Sequence, residues 1–154
     1  MRICDQAHFK RLKMYYDSKR ELIGIDLSPK MIAVSRNRLE NTAQLIIGEM
    51  SNLKSQDSEN AAALVNFFAI HHLDNEVLVK ALNEWNRVLQ SQGQLVIAAW
   101  EGTGAIDYGD ESDVIALKHC ETDLKEMIQN AGFIIDRCKS EFIKDHILFE
   151  LENK

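Results

Sequence analysis

Three stretches hold residue types that do chemistry. Asp26 ends the short apolar run Glu21-Leu-Ile-Gly-Ile-Asp26 and is followed by Ser28-Pro29. If that run is a strand, the carboxylate sits at its carboxyl end. There it is able to accept hydrogen bonds from both hydroxyls of a ribose. The plainer role is a helix-start acid facing the positive end of a helix dipole. Gly48-Glu49-Met50 ends a second apolar run, and a side-chain acceptor beside backbone amides suits an adenine edge as well as an ordinary turn. The third stretch is Asn66-Phe67-Phe68-Ala-Ile-His71-His72. Adjacent histidines rarely chelate one ion, and no third ligand stands at suitable spacing, so no metal is expected. One histidine would pack in a strand-to-helix turn while the other faces a pocket, and helix capping is the alternative to a base.

The elements that must position these residues follow from periodicity. Residues 21–26, 44–48, 62–68 and 95–100 are apolar runs that read as buried strands, and 62–68, apolar throughout, is expected to be covered on both faces. Ser28-Pro29 starts a helix as N-cap and first helical residue, running to about Asn41. Val77, Leu78, Ala81, Leu82, Trp85 and Leu89 recur at helical spacing from Asp74 to Gln90, with Gly93 as the closing turn residue. Thr122 to Asn130 is a helix stopping at Gly132, and residues 101–120 read as a loop. Residues 133–139 and 146–152 form a closing pair, with 146–152 the alternating antiparallel edge strand. Alternation of strand and helix implies a parallel sheet with helices on both faces. At the start, Ala7, Phe9, Leu12, Met14, Tyr15 and Tyr16 suggest a basic amphipathic helix, and Arg2-Ile-Cys4 a very short strand.

Composition bounds the function. The 154 residues suit one domain, 1–154, and a net charge of −6 argues against a general nucleic-acid coat. The charge is uneven, with nine Lys/Arg against four Asp/Glu in residues 1–38. The three cysteines are widely spaced with no CxxC, so a reduced, cytoplasmic chain is expected. No signal peptide is expected, because no apolar run of about 7–15 residues follows a positive charge near the start, and no apolar run approaches the roughly 18 residues of a membrane span.

Four strings in order resemble class I S-adenosylmethionine-dependent methyltransferases. They are Leu22-Ile-Gly-Ile-Asp-Leu-Ser-Pro-Lys-Met31, Phe67-Phe-Ala-Ile-His-His-Leu-Asp74, Arg87-Val-Leu-Gln-Ser-Gln-Gly-Gln-Leu-Val-Ile97 (family pattern RVLKPGG) and Asp123-Leu-Lys-Glu-Met-Ile-Gln-Asn-Ala-Gly-Phe133. The resemblance implies an α/β fold: a Rossmann-like three-layer sandwich, its mostly parallel sheet closed by a C-terminal antiparallel hairpin. It also implies S-adenosyl-L-methionine as cofactor, S-adenosyl-L-homocysteine as product and a small-molecule acceptor in preference to nucleic acid, and it leaves room for a homo-oligomer; the short apolar runs lead to the expectation of no membrane. By position, Asp26 would hold the ribose, Leu27 and Met31 the adenine faces, and Glu49 and Met50 the adenine edge. Asn66 and Phe67 would lie beside the methionine portion and the sulfonium. His71 and His72 would border the acceptor, either serving as base, with Trp100 and Glu101 shaping that pocket.

The chain departs from the family at its start. No glycine precedes Gly24, so residues 1–20 hold no glycine-rich loop of the D-x-G-x-G-x-G kind. Either Met1 to Asp5 is a remnant first strand, with Gln6 to Lys10 in place of the loop, or the chain begins inside the domain. Arg2 to Cys4 are expected to fill the central strand. Ala62 also stands about where relatives carry an acid early in the fourth strand. Three functions remain open: an active methyltransferase with a variant loop, a weak or inactive methyltransferase-like binding subunit, and an RNA-associated module using the basic start.

Overall fold

The computed structural model describes residues 21–39, 42–106, 116–141 and 146–153. The expected strand at Arg2 to Cys4, the basic helix of residues 7–16 and the helix end at Asn41 lie outside the described residues. The chain divides into two compact units, Met1–Met50 and Ser51–Lys154.

In the first unit, strand β1 (Ile23–Asp26) leads to helix α1 (Pro29–Leu39) and strand β2 (Gln44–Ile47). The two strands pair in parallel from Ile23↔Gln44 to Asp26↔Ile47. Ser28 starts the helix: its Oγ lies 3.4 Å from the Met31 amide, and its own amide donates to Asp26 Oδ1 at 2.8 Å. Pro29 then occupies the first helical position, where its missing N–H leaves nothing unpaired. Ile32 and Ser35 are buried, while Val34, grouped by sequence with the apolar face, is 40% exposed.

The second unit holds β3 (Ala61–Phe67), a 3₁₀ turn (Ile70–His72), α2 (Asn75–Val88), β4 (Leu89–Trp100), α3 (Glu121–Asn130), β5 (Phe133–Glu141) and β6 (His146–Asn153). Its sheet has the order β3-β4-β6-β5. β3 and β4 are parallel, while β6 pairs antiparallel with both β4 and β5. Asp74 caps α2 by accepting the Val77 amide at 2.8 Å. Leu78, Ala81, Leu82, Trp85 and Val88 form the buried stripe of α2, joined in the core by Leu124, Ile128, Leu95, Ile97, Phe149 and Leu151.

Three expectations are corrected. The strand at 146–152 is not an edge: β6 lies between β4 and β5, and β5 is outermost. Its alternation reflects one buried face, with Phe149, Leu151 and Asn153 buried at every second position, and does not require an open margin. β3 is not covered on both faces, since only Asn66 along it is fully buried. Among the described residues β3 has a strand neighbour on one side only, β4. The helix ends at Val88 rather than Gln90, and β4 begins at Leu89 rather than Leu95. The left-handed residue there is Gln92 (φ 63°), and Gly93 is required for space, because a Cβ on it would stand 2.8 Å from the Gln90 carbonyl oxygen. Gly132 does close α3 as expected, with φ 96°.

Residues 51–60 are held by an ion pair between two residues of α2. Arg87 meets Glu84 through Nε at 3.0 Å and Nη2 at 3.0 Å, and also donates to the carbonyls of Leu53 and Gln56 at 3.1 Å and to Ser58 Oγ at 3.2 Å. Glu84 Oε2 in turn accepts the Leu53 amide at 2.9 Å. The guanidinium holds the Glu84 carboxyl below its usual range despite the opposing effect of burial. With 34% of the Arg87 side chain exposed to water, Arg87→Ala should lower stability by about 1–2 kcal/mol. Arg87→Lys should lose nearly as much, because an ammonium cannot reproduce the planar fork. Urea denaturation reads both, and an unchanged midpoint would show that the loop holds itself.

Candidate functional site

In the first unit, the chemistry gathers at the carboxyl ends of β1 and β2. Asp26 is 3% exposed. One of its oxygens, Oδ1, accepts the Ser28 amide at 2.8 Å. The other, Oδ2, is buried and has no hydrogen-bond partner among the described residues. A buried carboxylate oxygen without a donor carries an uncompensated desolvation cost, which a ligand bringing a donor would relieve. Two vicinal hydroxyls are such donors. Leu27, the next residue, is 66% exposed although apolar, and Ile47, opposite Asp26 in the ladder, is 54% exposed. Met31 is half-buried on the first turn of α1. The Gly48 amide donates to the Asp26 carbonyl at 3.1 Å, so exposed Glu49 and half-buried Met50 follow directly from the ladder's end. Ile47, not among the residues singled out by sequence, is marked there only by its place as the last apolar residue before Gly48.

In the second unit, Asn66 is 0% exposed in β3, opposite Ile97. Phe67, opposite Ala98, is half-buried. Phe68 has φ 49°, a left-handed conformation rare for a bulky side chain. The 3₁₀ turn then separates the histidines. His71 is 4% exposed, while His72 is half-buried, and their ring centroids lie 4.0 Å apart. Segment 116–119 clips onto this turn, with the Leu117 amide donating to the His71 carbonyl at 2.7 Å and the His119 amide to the Trp100 carbonyl at 2.9 Å. Glu101, half-buried, stands opposite His119 across an isolated parallel bridge.

His119 is a buried titratable group absent from the sequence reading. Burial pushes its imidazole below the ordinary 6.5, against a weaker raising effect of the Ile70 carbonyl 3.4 Å from Nε2. A lowered histidine leaves stability complete above 6.5 and removes it as pH falls from 6.5 through the folded value, because the unfolded chain takes up the proton first. The urea midpoint should therefore already fall between about pH 6.5 and pH 5, above the range where Glu84 and Glu121 protonate. His119→Gln should flatten that slope, and an equal slope in the variant would assign it elsewhere.

Cys138 offers no activated nucleophile. Burial and the Glu121 carboxylate push its thiol up, the reverse of what nucleophilic catalysis uses. Among the described residues, no three His, Cys, Asp or Glu side chains are placed to hold a metal ion, and no helix is long and apolar enough to cross a membrane.

A family model described as a methyltransferase domain matches residues 7–93, more than half of the chain. The chain belongs to the class I S-adenosylmethionine-dependent methyltransferases. No curated protein matches this methyltransferase in sequence. Solved structures share its fold at low identity. A SAM-dependent methyltransferase of Methanosarcina mazei superposes with TM-score 0.74 and 16% identity, over 86% of this chain and 82% of that one. A Burkholderia thailandensis 1,6-didemethyltoxoflavin-N1-methyltransferase, with 1,6-didemethyltoxoflavin and S-adenosylhomocysteine bound, gives 0.72 and 16%, over 99% and 67%. The cyclase SpnF gives 0.70 and 13%, over 93% and 69%. The family's cofactor is S-adenosylmethionine, and the partnerless buried oxygen of Asp26 fits its ribose.

Proposed function

We propose that this methyltransferase transfers a methyl group from S-adenosylmethionine to a small-molecule acceptor, in the cytoplasm, through one domain of the three-layer Rossmann-like kind with a closing antiparallel hairpin. The observation that carries the reading is Asp26, a buried carboxylate with one oxygen unsatisfied. Asp26 accepts the ribose hydroxyls, Leu27, Met31 and Ile47 present apolar surface to the adenine faces, and Glu49 with Met50 meets its edge. Asn66 and Phe67 border the methionine portion. The cofactor supplies an electrophilic methyl on a sulfonium. The chain's own task is to hold the acceptor in line with it and to take a proton. An imidazole at His71 or His72 suits that second task, since histidine changes charge near neutrality. The toxoflavin methyltransferase among the structural neighbours supports a small acceptor, and the free Cys120 and Cys138 support a reducing compartment.

A second reading has its own observation. The first 23 residues lack glycine, and Ala62 stands about where the family resemblance implies an acid. A methyltransferase-like binding subunit tolerates both departures, and the cyclase SpnF carries this fold under another name. Calorimetric titration with S-adenosylhomocysteine, followed by methyl transfer to a mixed metabolite extract, separates the two. Binding with transfer supports the enzyme, and binding without transfer supports the subunit. No heat at millimolar ligand would remove both.

A further inference from the structure

Among the described residues the aromatic side chains divide sharply by place. Trp85, Phe133 and Phe149 belong to the core, at 1%, 2% and 0% exposure. Phe67, Phe68 and Trp100 are all half-buried, and all stand at the carboxyl ends of β3 and β4. Large rings kept partly in water and grouped at one sheet end offer the aromatic, partly apolar surface that lines small-molecule sites. Phe68 adds a second sign. Its left-handed backbone costs about 1–2 kcal/mol for a residue with a Cβ. It is held there by its amide, which donates to the Ala98 carbonyl at 2.8 Å, and by its ring, 5.1 Å from that of Trp100 at 46°. Such strain persists where a side chain is needed in one orientation. The histidine turn is tied to the same place, because segment 116–119 bonds to both Trp100 and His71 while the His119 ring reaches the Ile70 carbonyl.

We propose that the acceptor is a planar aromatic or heteroaromatic small molecule bearing an ionisable N–H or O–H. It stacks against the Phe68–Trp100 pair, and His72 receives its proton. The proposal rests on the methyl-transfer reading above and names its substrate class. A flat ring offers an aromatic pair the offset or tilted contact it prefers. His72 is the catalytic residue because it is partly exposed. His71, buried with its carbonyl bonded to Leu117, is a positioning residue. In the step, the acceptor nitrogen or oxygen forms a bond to the methyl carbon as the sulfonium carbon–sulfur bond breaks. Sulfur keeps that electron pair, and the acceptor's proton passes to His72 and then to water.

The test uses the full chain with S-adenosylhomocysteine bound. Catechol and xanthine serve as planar probes and ethanolamine as the aliphatic control, read by tryptophan fluorescence. Both planar probes should quench Trp100 and ethanolamine should not, with the quenching lost in Trp100→Phe. Phe68→Gly separates binding from folding: glycine takes the left-handed backbone without strain, so the fold should hold while probe affinity falls about 3–10-fold. With labelled S-adenosylmethionine, any planar probe that accepts methyl should show an acid limb in kcat/KM that His72→Gln removes, with a rate loss of about 100-fold. His71→Gln should leave the limb in place. Quenching by neither planar probe while S-adenosylhomocysteine binds, or an acid limb that survives in His72→Gln, overturns the proposal and leaves the methyl-transfer reading standing. Failure of S-adenosylhomocysteine to bind overturns that reading itself.

Discussion

Asp26→Ala is expected to weaken S-adenosylhomocysteine binding by about 1–3 kcal/mol, roughly 5- to 150-fold in Kd, because two ribose hydroxyls lose a charged acceptor. The alanine also leaves the Ser28 amide without its partner at 2.8 Å, so the helix start suffers with the site. Asp26→Asn separates the two effects. Its side-chain oxygen still accepts the Ser28 amide, while its NH₂ group meets the ribose with donors where an acceptor is needed. Affinity should fall nearly as far as in the alanine variant. Thermal stability should hold or rise, since Oδ2 is buried and unsatisfied before any ligand arrives. Stability falling in both variants with affinity untouched would leave Asp26 only a helix-start acid. Calorimetry and a melting curve on the same samples decide between these.

The same residue shows how much the sequence carries. Asp26, Ser28 and Pro29 are legible because strand end, cap and first helical residue are neighbours in the chain, and their bonds span two or three residues. The α2 stripe ending near Val88 is legible for the same reason, since helical periodicity is local. Strand choice is not local. Nothing in residues 146–153 says that they pair with β4 as well as β5, so an inner strand read as an edge. Half-exposure along β3 likewise depends on what lies beside it rather than on its own composition. The start of β4 was hidden by Gln92, which takes a left-handed turn position where the family pattern has glycine.

The polar clasps were invisible for a related reason. Arg87 reads as the first letter of a familiar motif, yet its bonds reach Leu53, 34 residues away, through a backbone carbonyl. Backbone acceptors leave no mark in the sequence. His119 lies in a stretch without strand or helix periodicity, and the carbonyl its ring reaches, that of Ile70, is 49 residues away. Where a side chain bonds to local backbone the sequence suffices, and where it bonds to distant backbone only the fold shows it.

Asn153→Ala should produce the largest stability loss among the polar residues described, about 2–4 kcal/mol. The side chain closes the end of β6 onto the junction of α2 and β4. Its Oδ1 accepts from Asn86 Nδ2 at 2.9 Å, and its Nδ2 lies 3.2 Å from the Leu89 carbonyl and 3.3 Å from those of Asn86 and Gln90. Two N–H groups thus serve three carbonyls around the point where helix becomes strand. Leu89 is 0% exposed, so water cannot replace the amide at its carbonyl, and each polar group left unpaired costs about 1–3 kcal/mol. Asn86 keeps one bond after the change, to the Ala131 carbonyl at 2.9 Å, which limits the total. Asn153→Asp should be at least as damaging, since it turns a carboxylate oxygen toward carbonyl oxygens that need a donor. Asn86→Ala breaks the same network from the helix side, so the double variant should fall short of additivity by about 0.5–3 kcal/mol in a urea-denaturation cycle. A strictly additive cycle, or an Asn153→Ala loss under about 0.5 kcal/mol, would mean that the buried apolar contacts of Trp85, Phe149 and Leu151 close this corner without the amides.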